Sequence, residues 1–416
     1  MDNSIYSRIN FFFTNLNVIT ILIGYPFITC IVIPLMGNVE GSSRIVTIPF
    51  RIFALGITLI TLFLNIKKTI KYSVALKLFL LFWVLLLLRM FYDLEIRTDF
   101  FIPIPFKIEV WLFAIAICFI PMISLVLSIN KIDFNLCLKY IYSATIIILI
   151  ISYFTSIKDA QPGERIDANI ALNTVSFAQV AITTTIISIY QLITKKNSSL
   201  AYQILYFFSA LLGIYVALKS GSRGPLLALL VVLIFWNSFK EKKLSIAYFK
   251  FIFFILIALI FKSFIILFIS YISPMTAFRI NEAFSGTDLG VQYRNESYFW
   301  FINKILENPI WGSQFARLSN GDYPGYAHNI FLDILLGFGI FGLGIFLLVI
   351  IRSISIIRTN IIIKSNYWIG LIFMQYFVLL FTSGAYYSEP IFNCAIVLTL
   401  LSSNKFKQLI SQTSGG

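Results

Sequence analysis

The stretch Tyr323–Arg352 reads YPGYAHNIFLDILLGFGIFGLGIFLLVIIR, and it decides the fold. From Ile330 onward it is apolar and long enough to cross a bilayer, which takes roughly 20 apolar residues at about 1.5 Å each. The chain's single histidine, His328, stands just before this run. Asn329 is a favourable N-cap, so His328 precedes a helix start, where the positive end of the helix dipole disfavours imidazolium. The sequence therefore predicts a neutral imidazole, as a general base requires, at a membrane boundary.

The composition excludes an ordinary soluble domain. Of 416 residues, 59% are hydrophobic and 12% are charged, about half the charged fraction of a typical globular protein. The net charge of +14 does not indicate nucleic-acid binding, because the basic residues cluster between apolar runs, as cytoplasmic anchors do. The cysteines show neither a disulfide framework nor metal-ligand spacing. They are Cys30, Cys118, Cys137 and Cys394.

The hydrophobic pattern predicts an all-α polytopic membrane protein forming one integral domain over residues 1–416, with about twelve spans. The basic clusters fall in alternate loops, which places those loops and both termini in the cytoplasm. The first span is expected to be retained, because no small-residue cleavage site follows a short apolar core. The predicted spans are 17–36, 46–65, 74–93, 109–130, 136–155, 171–194, 200–218, 225–239, 246–273, 329–351, 367–383 and 390–403.

Three charged residues within or near the ends of these spans need an explanation. Arg51 and Arg89 lie near the outer ends of their spans, where long side chains reach the interface, so we favour anchoring over function for both. Lys262 lies well inside its predicted span, where a charge costs at least about 2.5 kcal/mol and normally faces a partner or a wet cavity. The sequence names no partner for it.

Two outer loops carry arginines. The loop 158–170 holds Arg165 beside acidic residues, and a solvated, internally paired loop is the simpler interpretation. The turn SGSRGP, Ser220–Pro225, places Arg223 at the N-terminus of the next span, with glycines that let a ligand approach the backbone. An anion site and a turn that binds lipid headgroups are equally consistent with this pattern.

The longest segment outside the spans, 274–327, is expected to form a lid over the membrane. Within it, Tyr293–Asn308 has the pattern of an amphipathic helix lying in the interface. Arg294 falls in its first turn, and Arg279 and Arg317 lie elsewhere in the segment. Three arginines with one histidine favour an anion site over a pair of catalytic carboxylates, because guanidinium groups match phosphate oxygens bidentately. Arg279, Arg317 and Asn329 are therefore candidates for a supporting role.

Three further features are weaker signals. Gly337, Gly339, Gly342 and Gly344 form a GxGxxGxG string, but within a span such residues indicate close packing and not a dinucleotide site. Asp333 could orient His328 only if the helix begins irregularly, so a structural role is favoured. Glu389, in the last outer loop, is an acid of unknown role.

Taken in order, these pieces resemble the O-antigen ligase/polymerase superfamily. They are the SRG turn at Ser220–Pro225, the spacing R-x(5)-W at Arg294 and Trp300, the following P-x-x-G at Pro309–Gly312, and an HN pair opening a glycine-rich span. The similarity covers roughly residues 160 to 350, and the pieces are specific together but weak singly.

The resemblance implies a membrane glycosyltransferase of the GT-C class, with its active site at the periplasmic face of the bacterial inner membrane. It implies an undecaprenyl-diphosphate-linked glycan as substrate, no metal ion and no cofactor. By position, His328 matches the family's essential histidine, while Arg223, Arg294 and Arg165 match arginines that would bind the diphosphate. Expected partners are membrane lipids and a chain-length regulator protein, with no nucleic acid.

The sequence leaves the reaction open among three functions. We favour a polymerase that joins lipid-linked repeat units with inversion, His328 taking the proton from the acceptor hydroxyl. A ligase acting on lipid A-core is the alternative within the family. A flippase or other transporter could also have about twelve spans, but transport predicts polar groups along a path through the midplane, whereas here they crowd one face.

Overall fold

The computed structural model describes residues 3–36, 42–66, 72–158, 166–169, 172–195 and 198–413. The chain is 82% helical, which confirms the all-α class. The described β-structure is limited to an antiparallel pair, Ile157–Lys158 with Ile166–Asp167, and two isolated bridges. The α-helices are Asn3–Ile19, Tyr25–Leu35, Ser42–Asn65, Val74–Phe91, Ile104–Trp111, Ile120–Ser128, Phe134–Thr155, Thr174–Thr194, Leu200–Lys219, Arg223–Ser238, Leu244–Ile260, Lys262–Ile272, Pro274–Ser285, Leu289–Glu307, Ile330–Ile362, Trp368–Leu379 and Pro390–Thr413.

Shorter helical turns complete several of these helices. π-helical turns at Thr20–Gly24, Tyr92–Ile96 and Leu112–Phe119 continue neighbouring α-helices, and 3₁₀ turns lie at Ile129–Lys131 and Tyr386–Ser388. A π turn inserts one extra residue into the helix and so changes which side chains face the interior.

The helices form a multi-pass membrane protein. Eight helices of the described ranges are long and apolar enough to cross a membrane, and a bent pair, Leu244–Ile260 with Lys262–Ile272, makes a ninth. The three other predicted spans are also helical, but each is shorter: Arg223–Ser238, Trp368–Leu379 and Pro390–Ser402. All twelve predicted apolar segments are thus helices, which confirms a polytopic all-α protein.

The first span begins earlier than the sequence predicts. It runs over Ile5–Leu35, whereas the hydrophobic pattern predicts 17–36. Asn15, a polar residue ahead of the predicted start, is buried, donates to the Lys131 carbonyl at 3.2 Å and accepts from the Asp133 amide at 2.7 Å. Asn15 therefore belongs to the protein interior, and a satisfied buried amide is compatible with a membrane helix.

The chain divides into two compact units. The first comprises Met1–Ile57, Lys131–Asp288 and Arg358–Val378. Its helix Thr174–Thr194 is largely buried, and Gly213 approaches it so closely that a Cβ would meet Thr185. Gln375 adds a polar tie, donating to the Gln179 carbonyl at 2.9 Å and accepting from the Thr183 hydroxyl at 3.1 Å. Small residues and interhelical hydrogen bonds thus hold this unit together.

The second unit comprises Thr58–Asn130, Leu289–Ile357 and Leu379–Gly416. Its core includes Phe82, whose ring lies 5.3 Å from Phe338, 5.8 Å from Phe346 and 6.0 Å from Tyr386, measured between ring centroids. These tilted aromatic contacts join three segments that are far apart in sequence. His328 belongs to this unit.

Lys262 does not lie in a continuous helix. It follows the break between Leu244–Ile260 and Lys262–Ile272, where the helix bends by 64°. Its side chain is exposed, and its ammonium lies 4.8 Å from the centre of the Phe284 ring, within the first unit. Lys262 therefore lies at a bend and makes a cation–π contact, whereas the sequence predicted a charge inside a continuous span.

The segment predicted as a lid contains two helices. Pro274–Ser285 belongs to the first unit, and Leu289–Glu307 belongs to the second and begins four residues before the predicted Tyr293. The amphipathic pattern predicts an apolar stripe of Phe299, Ile302, Ile305 and Leu306. Ile305 is buried, whereas the other three are exposed. The role of 274–327 as a lid, and the single domain over 1–416, stay predictions.

Candidate functional site

The span that follows His328 is broken at Gly339, and a loop fills the break. Gly339 has φ 59° and ψ −156°, outside helical geometry. The Leu336 carbonyl accepts from the Ser313 amide at 2.7 Å, and the Ile340 amide donates to the Pro309 carbonyl at 2.8 Å. Backbone groups released by the break are thus satisfied within the protein, as they must be at membrane depth.

The glycines of this region have a specific use. A Cβ on Gly339 would meet the backbone of Ile310, and a Cβ on Gly312 would meet the backbone of Gly337. Gly339 and Gly312 also have positive φ, which side chains rarely adopt. The P-x-x-G motif and the glycine string are therefore two sides of one contact, between a loop and a broken helix.

Asn329 and Asp333 shape the turn that carries His328. The Asn329 side chain accepts from the Phe331 amide at 3.0 Å, which confirms Asn329 as the cap of this helix. Asp333 is buried and accepts from the Ala327 amide at 2.7 Å. Asp333 thus folds the chain back just before His328, and the structural role expected for it is its observed one.

His328 itself is strained and half-buried. Its φ is 55°, a conformation that non-glycine residues adopt rarely and that occurs disproportionately at functional sites. Its ring lies 4.4 Å from the Tyr326 ring, and within the described chain the imidazole nitrogens have no hydrogen-bond partner. The imidazole is therefore held in place by its backbone and by Tyr326, with both nitrogens unengaged.

The surroundings of His328 favour the neutral imidazole. Burial lowers the pKa of His328 below its usual 6.5, and the positive charge of Arg294 lowers it further. The sequence predicted a neutral ring from the helix dipole, whereas burial is the larger cause here. A neutral imidazole with unengaged nitrogens can accept a proton.

Arg294 is the arginine whose positive charge lowers the pKa of His328. It is half-buried on the helix Leu289–Glu307, where its Nε donates to the Gly290 carbonyl at 2.9 Å. One terminal nitrogen donates to the Thr382 carbonyl at 3.4 Å. Within the described chain it pairs with no carboxylate, so its positive charge remains available to an anion.

Arg317 supports this region by stacking. Its guanidinium lies 5.0 Å from the centre of the Trp300 ring, and its backbone pairs with Gly325 at 2.9 Å in both directions. Trp300 packs on a buried cluster formed by Phe301, Ile305, Ala327 and Leu336. The tryptophan of the R-x(5)-W spacing therefore anchors the strand-like segment that leads to His328.

Arg223, in the first unit, has a different environment. It begins the helix Arg223–Ser238 and makes a two-pronged ion pair with Asp288, at 3.0 and 3.1 Å. It also donates to the Arg279 carbonyl at 2.7 Å, while Arg279 donates to the Gly221 carbonyl at 2.7 Å. The structure thus brings Arg223 and Arg279 together in the first unit, with a carboxylate on Arg223.

Sequence reasoning missed Asp288 and Tyr326, and it left Glu389 without a role. Asp288 neutralises Arg223, and Tyr326 packs on His328. Glu389 is half-buried, and burial raises the pKa of its carboxyl to about 7. Burial first, and then the charges of Glu389 and Asp333, raise the pKa of the Tyr326 hydroxyl. In the sequence, the only signal that could have indicated Tyr326 is its position two residues before His328. The predicted site residue Arg165 lies outside the described residues.

Residues 208–347 match a protein family described as O-antigen ligase. The matched range includes Arg223, Arg279, Arg294, Arg317 and the His328–Asn329 pair. The match supports placing the chain in the O-antigen ligase/polymerase superfamily, as the motifs indicated. No curated protein matches the chain. The family supports a glycosyltransferase-like enzyme of O-antigen assembly.

Proposed function

We propose that this protein is an O-antigen polymerase, a membrane glycosyltransferase that joins undecaprenyl-diphosphate-linked repeat units. The observation that carries the proposal is His328 in the second unit, whose neutral form is favoured by burial and by the charge of Arg294, a guanidinium with no carboxylate partner within the described chain. The family match over residues 208–347 supports the same chemistry. The GT-C class, the inner membrane, the periplasmic site and the cytoplasmic termini belong to this proposal.

His328 is the proposed general base. As the acceptor sugar oxygen bonds to the anomeric carbon of the donor, the imidazole takes the hydroxyl proton. The bond between that carbon and the diphosphate oxygen breaks, and the electron pair leaves with the diphosphate. Attack opposite the leaving group inverts the anomeric configuration. The lowered pKa of His328 leaves the imidazole neutral and ready near neutral pH.

Arginines are proposed to stabilise the negative charge that develops on the leaving diphosphate. Arg294 is the strongest candidate, because carbonyls alone hold it and it still has donors to offer. Arg223 has its terminal nitrogens on Asp288, so only its Nε is unengaged within the described chain. Arg165, Arg279 and Arg317 complete the proposed set, with Asn329 fixing the helix start. These cations do the electrostatic work that a divalent metal does in other transferases.

The test uses purified, full-length protein and a defined lipid-linked repeat unit as both donor and acceptor. A polymerase makes a ladder of longer lipid-linked glycans on a gel without any lipid A-core. A ligase, the alternative within the family, gives no ladder until lipid A-core is added, and then a single shift. Absence of product with either acceptor contradicts the transferase proposal.

The anomeric configuration of the new linkage provides a second readout. Inversion predicts the configuration opposite to that of the donor's sugar-diphosphate bond, as measured by NMR coupling constants on the released glycan. Retention would exclude a single displacement assisted by His328. Transport of the lipid-linked glycan across vesicles without any new glycosidic bond would favour the flippase alternative.

A further inference from the structure

The second unit contains a polar cavity separate from His328. It has a volume of about 410 Å³, within the usual range for small-molecule sites. It lies where the π turn Tyr92–Ile96 ends and the loop after Leu289–Glu307 begins. The lining residues are Arg89, Tyr92, Ile96, Arg97, Thr98, Asp99, Asn308, Gly312 and Ser313.

The walls of the cavity are tied together. Arg97 donates to the Ser313 carbonyl at 3.1 Å and to the Asp99 carboxylate at 2.8 Å. Further along the same two loops, the Phe101 amide donates to the Asn320 side chain at 2.8 Å. Gly312 is fixed by its contact with the broken helix. The cavity is therefore a built feature of the unit, held by bonds between segments more than 200 residues apart.

Arg89 is the residue of the cavity that the sequence assigned to anchoring. Its Nε donates to the buried Asp93 carboxylate at 2.9 Å, and its guanidinium lies 5.9 Å from the centre of the Tyr92 ring. Asp93 also accepts from the Phe315 amide at 2.7 Å. Within the described chain, the two terminal nitrogens of Arg89 have no partner. These two donors belong to a residue that lines the cavity.

The charges around the cavity balance. Asp93 accompanies Arg89, and Asp99 pairs with Arg97 at 2.8 Å. A phosphate would find little net positive charge here, unlike at Arg294. The walls instead offer donors from Arg89 and Asn308, an acceptor from Asp99, and the face of Tyr92. Sugar hydroxyls both donate and accept hydrogen bonds, and the apolar face of a sugar packs on an aromatic ring.

We propose that this cavity binds a neutral segment of a saccharide. Its use as a glycan subsite of the transferase rests on the function proposed above, whereas the binding itself does not. The subsite holds sugar rings away from the reacting bond and so fixes the position of a long substrate. Binding remote parts of a substrate in this way supports catalysis at the reacting centre.

The test measures binding of the organism's own repeat-unit oligosaccharide, released from its lipid by mild acid. Saturation-transfer NMR on the full-length protein in zwitterionic nanodiscs detects weak ligands. We expect the wild type to bind it, and Asn308→Trp, which fills the cavity from an exposed position, to abolish binding. Asn308→Leu keeps the size but removes the amide, and should weaken binding about threefold to tenfold, the loss of one hydrogen bond.

A matched control position lies on the preceding helix, Leu289–Glu307. Asn303 is exposed and outside the cavity, so Asn303→Trp and Asn303→Leu should bind the oligosaccharide like the wild type. Undiminished binding by Asn308→Trp, or no binding by the wild type, overturns the proposal. Competition by inorganic phosphate or by phosphatidylglycerol in the nanodisc would show an anion or lipid site and overturn it equally.

The two proposals fail in different ways. His328→Ala should abolish glycan transfer but leave oligosaccharide binding unchanged, because His328 does not line the cavity. If transfer depends on His328 but Asn308→Trp still binds the oligosaccharide, the transferase proposal is supported and the saccharide subsite is excluded. If binding depends on Asn308 but the protein has no transferase activity, the saccharide site is supported and the proposed function is excluded.

Discussion

Arg223 and Arg294 have the same chemistry in the sequence and opposite environments in the structure. Arg223 shares its charge with Asp288 through two short contacts and is a tied structural group. Arg294 contacts only carbonyls, Gly290 and Thr382, and its charge acts on His328. An arginine already paired with a carboxylate must give up that pair to bind a phosphate fully. The comparison therefore ranks Arg294 above Arg223 as the candidate for stabilising the leaving diphosphate in the proposed reaction.

The largest expected effect is that of His328→Ala, which removes the base that the Arg294 environment tunes. We expect glycan transfer to fall by about 10² to 10⁴, the usual contribution of a general base. The measurement is the initial rate of ladder formation with purified protein. Tyr326→Phe is the control, because it keeps the ring that packs on His328 and should keep most of the activity. A near-wild-type rate for His328→Ala would remove the proposed base.

Arg294→Gln tests the role of Arg294 through two measurements, the rate of transfer and its pH dependence. The rate should fall by about 10², since one donor to a developing charge is lost. The Arg294 charge lowers the pKa of His328, so its removal should raise that pKa and move the acidic limb of the pH–rate profile to higher pH. In the wild type this limb should lie below 6.5, because the base works only when deprotonated and its pKa is depressed.

Glu389 provides the competing interpretation of that profile. Its carboxyl has a pKa raised to about 7, so a limb near pH 7 that disappears in Glu389→Gln would make Glu389 the titrating base. A limb that stays below 6.5 in Glu389→Gln and shifts upward in Arg294→Gln identifies His328. Lysine at position 294 keeps the charge but loses the guanidinium geometry, so Arg294→Lys should leave the limb in place while the rate still falls.

The sequence predicts features that depend on neighbouring residues better than features that depend on residues far apart in the chain. The apolar run after Ile330 and the Asn329 cap are local patterns, and both were correct. The pairing of Arg223 with Asp288 joins residues 65 positions apart, and no pattern in either segment indicates it. The sequence shows which residues carry chemistry, but tertiary contacts decide which of them remain free to use it.

The same limit applies to the glycine string and to Arg89. Small residues in a span indicate a close approach, but the approaching partner turned out to be the loop Pro309–Gly312 and not a second helix. Arg89 was assigned to anchoring because of its place near a span end. Its partner Asp93 lies four residues along the same helix, a spacing that brings side chains together, but the hydrogen bond from the Phe315 amide to the buried Asp93 is a tertiary contact that the local pattern does not reveal.

Arg223→Gln tests the other side of the comparison and should act mainly on stability. The change removes the two-pronged guanidinium contact of the mostly buried Asp288, and breaking such a pair costs about 3 kcal/mol. Thermal unfolding of the detergent-solubilised protein measures it. Adding Asp288→Asn should restore much of the lost stability and, if Arg223 is structural, much of the activity. A double variant that is stable but inactive would place Arg223 on the diphosphate and reverse the ranking.

The smallest expected effect is that of Arg317→Gln. Arg317 stacks on Trp300, and losing a cation–π contact of this kind costs about 1 kcal/mol. The unfolding midpoint should fall slightly and the rate should change less than for Arg294→Gln, because stacking only supports the segment that leads to His328. Trp300→Phe keeps a weaker aromatic partner but also loses packing on the buried cluster, so its unfolding midpoint should fall at least as far as that of Arg317→Gln. A hundredfold fall in rate with unchanged stability would instead make Arg317 a second free guanidinium for the diphosphate, and the contrast between Arg223 and Arg294 would then extend to a third arginine.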